Sequence, residues 1–118
     1  MTTPITVLVE FAIADGKADA FAEVCAKGRS IVQSKEPGTL SFRQYFNADR
    51  SVAVSLETYV DSDALIAHID NAREDIGAIT DIASLVRTEV YGNISAAARR
   101  TFEEFNGTVY QPFSEYWR

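Results

Sequence analysis

The chain has 118 residues, 47% of them hydrophobic and 24% charged, with a formal net charge of −6. That is enough for one hydrophobic core and not for two, and a negative balance without a basic stripe argues against a nucleic-acid partner. A single cysteine, Cys25, cannot close an internal disulfide, and one histidine argues against a bound metal. Met1-Thr2-Thr3-Pro4 lacks the basic and apolar regions of a secretory signal, and no apolar run is long enough to cross a bilayer. A cytoplasmic setting with no membrane partner is therefore expected.

Alternation of apolar and polar residues from Ile5 to Ile13 predicts a first strand. Asp15-Gly16 breaks it, and Asp15 is available to cap a helix from about Lys17 to Lys35 whose stripe is Phe21, Cys25, Gly28 and Val32. Glu36-Pro37-Gly38 ends that helix, because proline drives the preceding residue out of the helical region and glycine permits the turn. Two further strands, Thr39 to Asn47 and Ser51 to Val60, flank a turn at Asn47-Ala48-Asp49-Arg50. In the second of them Val52, Val54, Leu56 and Thr58 are expected on one face, and Ala53, Ser55, Glu57 and Tyr59 on the other.

Asp61-Ser62-Asp63 offers caps for a helix over Ala64 to Arg73, followed by a second helical piece over Asp75 to Ala83. A last strand covers Leu85 to Tyr91. The order βαββαβ predicts an α+β, ferredoxin-like sandwich, a four-stranded sheet with both helices on one face. Ser95 can start a further helix through Phe105, stopped by Asn106-Gly107, and an aromatic tail runs on to Arg118. No linker divides the chain. One domain over 1–118 is expected, with its core at 5–92 and a C-terminal extension at 93–118.

The sheet face away from the helices is expected to carry Leu8, Glu10, Arg43, Tyr45, Glu57 and Tyr59. An apolar patch rimmed by charges marks an interface, so the expected partner is a second copy packed sheet to sheet through Glu10, Arg43, Glu57 and Tyr59. The plainer alternative is a monomer with a wet face.

Chemistry-bearing residues are few. His68 shares a helix face with Leu65 and Ala72 and alone among the side chains titrates near neutrality when unperturbed. Composition and spacing leave it open between a proton acceptor and a histidine hydrogen-bonded at the core's edge. Asn71, one turn on, can orient a ligand or cap the break before Arg73. Cys25 reads as a small buried hydrophobe. Trp117 and its aromatic neighbours can close a pocket or pin the tail to the body or to a partner.

Glu36-Pro37-Gly38-Thr39-Leu40-x-Phe42, Leu56-Glu57-x-Tyr59, Asp63-Ala64-Leu65-x-x-His68 and Glu89-Val90-Tyr91-Gly92 together resemble the antibiotic biosynthesis monooxygenase (ABM) domain, over roughly residues 5 to 92. The resemblance implies a homodimeric α+β barrel that oxidises quinol- or anthrone-type aromatics with O₂. No cofactor is implied, because an electron-rich substrate anion can itself reduce oxygen. It makes His68 the proton acceptor. Asn71, Tyr45 and Trp117 are substrate-binding candidates on chemical grounds. Haem cleavage, known in relatives of the fold, is disfavoured: strand one has no asparagine and no tryptophan precedes His68 in its helix. A non-catalytic small-molecule-binding or stress-associated dimer is the alternative function.

Overall fold

A strand that is apolar on one face needs neighbours to bury it, and in this chain β1 (Ile5–Ile13) is the centre of the sheet. A computed structural model describes residues 3–118. Its elements follow in the order β1, α1 (Ala18–Lys35), β2 (Thr39–Phe46), β3 (Val52–Tyr59), α2 (Ser62–Thr80), β4 (Ala83–Tyr91), α3 (Ala96–Glu103) and β5 (Thr108–Tyr110). The sheet order is β2-β3-β1-β4-β5, antiparallel except for the β4–β5 pair. The expected ferredoxin-like α+β arrangement is present, with one strand more than the four anticipated. The aromatic tail supplies that strand.

Local chemistry sets the boundaries. Asp61 caps α2 by accepting from the Ala64 amide at 2.9 Å, and Ser95 caps α3 by accepting from Ala98 at 3.1 Å. Asp15 does not cap α1, whose N-cap is Lys17 with no side-chain bond. The two helical pieces expected after Asp61 are one continuous helix, so Asn71 lies mid-helix and no break precedes Arg73. Gly38 is required by a close approach: a Cβ there would meet the Ala64 Cβ at 2.7 Å. Its carbonyl also accepts from Val60 N at 2.9 Å, tying the end of α1 to the end of β3.

Two apolar clusters lie between sheet and helices. One joins Ile5, Val7, Tyr59, Leu65 and Val90 to Ala98 and Phe102 of α3, so the extension is packed into the core. The other gathers Ile13, Phe21, Ala53, Ile79 and Ala83. Burying side chains such as Phe21 and Phe102 contributes about 1.5–3 kcal/mol each.

Strand β3 corrects the sequence reading. Ala53, Ser55, Glu57 and Tyr59 are buried under the helices, while Val52, Val54, Leu56 and Thr58 lie on the outer face. Register forces this result, because Glu57 pairs with buried Val7, and Leu56 pairs with Leu8 on the other face. Glu57 and Tyr59 are therefore absent from the face expected to meet a second copy. Glu10 and Arg43 remain on it, but they are not paired with each other. Glu10 binds Arg87 at 2.8 Å, and Arg43 donates to the Tyr45 hydroxyl at 3.2 Å.

Candidate functional site

The end of α1, the middle of α2 and the inner face of β3 converge on His68. The Glu36-Pro37-Gly38 turn leaves Glu36 as the C-cap residue of α1, where its side chain turns inward and is only 4% exposed. Its Oε1 lies 2.9 Å from His68 Nδ1 and accepts from the Thr39 hydroxyl at 2.9 Å. Its Oε2 accepts from the Asn71 amide at 3.3 Å. Three hydrogen bonds fix this carboxylate, and it in turn fixes the imidazole. A neutral ring that donates from Nδ1 to Glu36 would leave Nε2 to accept, the arrangement in which a carboxylate orients a histidine base.

On the other side of the ring, Nε2 lies 3.7 Å from Glu57 Oε1. Glu57 accepts from the Tyr59 hydroxyl on one oxygen and from Ser55 at 2.6 Å on the other. Gln44 donates to Ser55 at 3.0 Å and extends the chain to β2. Burial and the adjacent Glu57 carboxylate push the Tyr59 phenol well above its usual range, so it stays a donor. Phe42 and Tyr59 pack against the imidazole with ring centroids 5.2 and 5.4 Å away.

This polar cluster borders a cavity of about 150 Å³ between sheet and helices, walled largely by apolar side chains from Val7, Val9, Phe21, Phe42, Leu65 and Ile76. An apolar pocket with a few converging polar groups is the usual form of a small-molecule site. Cys25 lines it too. Burial, then Glu57 and Asp75, push its thiol up to about 11, so it is an inert hydrophobe rather than a nucleophile.

The model of the antibiotic biosynthesis monooxygenase family matches residues 4–73, more than half of the chain, including Glu36, Glu57 and His68. The chain belongs to that family. Among solved structures it is similar to MupZ from Pseudomonas fluorescens, with a TM-score of 0.84 and 24% identity over 98% of this chain and 94% of that one. Rv0793 from Mycobacterium tuberculosis superposes with a TM-score of 0.68 and 18% identity, covering 80% of this chain and 99% of that one. A Nitrosomonas europaea protein bearing the ABM family's name gives 0.70 and 20% over 81% of this chain and 95% of that one. At these identities the likeness is one of fold. The curated proteins contain no significant match.

Within this ABM fold, Glu36 joins His68 and Asn71. Tyr45 and Trp117 do not join them. Tyr45 is on β2's outward side, and Trp117 donates to Glu115 at 3.4 Å; both are about half exposed and neither borders the cavity. Sequence reasoning missed Glu36, treating it as part of a turn, and assigned Glu57 to an interface. The available signal was their place in the short ABM-like motifs beside His68.

Proposed function

We propose that this ABM-family chain oxygenates a hydroxylated aromatic or quinol-type small molecule without a cofactor, with His68 as the proton acceptor. The supporting observation is the Glu36–His68 pair set beside an otherwise apolar cavity. Glu36 holds the Nδ1 proton, so Nε2 accepts a proton from the bound ring system, and the resulting imidazolium stabilises the substrate anion beside it. That anion supplies electrons to O₂. For an anthrone-type ring methylene the balance is R₂CH₂ + O₂ giving R₂C=O + H₂O, one oxygen atom staying in the product and the other leaving with both hydrogens; for a quinol it is QH₂ + O₂ giving the quinone and H₂O₂. Oxygen-uptake traces with a panel of naphthoquinols and anthrones test the proposal. Uptake matched to product, and lost in His68→Ala, is expected. No turnover across the panel, or equal turnover by the variant, overturns it.

The same proposal takes a second copy of the chain as partner, in a cytoplasmic setting. The outer sheet face offers Leu8, Val54, Leu56, Tyr45, Tyr91 and Tyr110 around the Glu10–Arg87 pair, a patch suited to another sheet.

Glu57 favours a second reading. With a carboxyl group on each side of the imidazole, the site is equipped to take a proton from one ligand atom and return one to another with no oxidant. Solvent deuterium entering the ligand without oxygen uptake would distinguish this acid–base chemistry. Ligand-induced thermal stabilisation with neither signal would mark a binding protein.

A further inference from the structure

Four polar or apolar side chains lie in one row across the cavity-facing side of the sheet: Gln44 on β2, Ser55 on β3, Val9 on β1 and Thr88 on β4. Gln44 and Ser55 are satisfied within the chain, since Gln44 donates to Ser55 and Ser55 donates to Glu57. Thr88 differs. It is 8% exposed, it borders the cavity, and among the described residues its hydroxyl is the buried side-chain polar atom with no hydrogen-bond partner. Buried hydroxyls are hydrogen-bonded as a rule, because leaving one unpaired is costly. A valine at this position would fit the row without that cost.

We propose that the Thr88 hydroxyl is the second anchor of the ligand, and that the ligand is a flat aromatic with oxygens at both ends. One oxygen meets the His68–Glu57 end and the other meets Thr88, with Val9 as the apolar platform between them. Ser55, which donates to Glu57 and so marks that end of the row, is two strand spacings from Thr88, about 10 Å between backbones. After a hydrogen bond at each end, that span leaves room for one ring between the two oxygens, with any fused ring lying off that axis. Thr88 is a specificity residue here and not a proton carrier. The inference deepens the proposed function and takes from it the aromatic class of ligand and its seat beside His68.

Binding measured anaerobically, with no turnover, keeps the two ideas separable. The probes are 1,4-dihydroxynaphthalene, which has a second oxygen, and 1-naphthol, which lacks it. Wild type should bind the diol more tightly than the mono-ol. Thr88→Val should lose about tenfold for the diol and nothing for the mono-ol, and Thr88→Ser should restore the preference. Thermal unfolding of the ligand-free variant should be unchanged or raised. Equal loss for both probes, no preference in wild type, no binding of either probe, or a lowered unfolding temperature for Thr88→Val would each overturn the proposal. Discrimination without any oxygen uptake would leave it standing while removing the oxygenase reading.

Discussion

Each face of the sheet carries a patch of the character expected of the other. The helix-covered face, where an apolar core is the default, carries Glu57, Ser55, Thr88 and Gln44 under His68 and Glu36. The outer face, where polar residues are the default for an antiparallel sheet, carries Leu8, Val54 and Leu56 between the Glu10–Arg87–Glu89 cluster and the tyrosines. Buried polar groups require an internal hydrogen-bonding network to offset lost hydration. The inner face has one and the outer face does not need one. The same kinds of contact should therefore have unequal weight on the two sides.

Glu36→Ala should show the largest effect on folding. It removes the acceptor for His68, Thr39 and Asn71 together. A loss of about 3 kcal/mol in urea unfolding is expected, and a loss under 0.5 kcal/mol would mean that the cluster is open to water. Tyr59→Phe is the next test. It deletes one buried donor to Glu57 and leaves the ring against His68, so about 1–2 kcal/mol is expected in the same assay.

A pH titration sharpens the contrast further. Burial pushes the folded-state thiol of Cys25 up to about 11, from the 9.0 of an unperturbed thiol. The folded state therefore holds this proton more tightly than the unfolded state. Stability from this group is complete below pH 9 and is lost as pH rises through 11. Since the thiol is partly open to solvent, the loss should be about 1–2 kcal/mol. Cys25→Ala should flatten that portion of the curve; an unchanged slope would assign it elsewhere. Tyr59, also raised, pulls in the same direction at higher pH.

Arg87→Ala should have the smallest effect. Its two ion pairs, to Glu10 at 2.8 Å and Glu89 at 3.1 Å, lie on the outer face around an exposed guanidinium. No resolvable change in monomer unfolding is expected, and any change should vanish in high salt. A large salt-independent loss would show that the outer face is as tightly coupled as the inner one.

Much of the fold was legible because it rests on local signals. The alternation in β1, the Glu36-Pro37-Gly38 stop and the caps at Asp61 and Ser95 each act within a few residues. The facing of β3 was not legible. Judged by itself, Val52-x-Val54-x-Leu56 is the more apolar side, and only pairing with β1 reveals that the polar side is inward. The site inherits that difficulty. His68 stood out as the one histidine, while Glu36 and Glu57 looked like a turn residue and a surface charge. Where a site occupies core positions, polarity patterns mislead. β5 was missed because three residues pairing in parallel with β4 leave almost no periodic signal.

The central claim is that Glu36 holds the proton on His68 Nδ1 and leaves Nε2 to accept one. Because the chain has one histidine, long-range ¹⁵N–¹H correlation spectra of the imidazole report on it without ambiguity. In the neutral ring the account predicts the Nδ1–H tautomer, shifting toward Nε2–H in Glu36→Gln. A neutral ring protonated on Nε2 in the wild type, hydrogen-bonded to Glu57 instead, would contradict it.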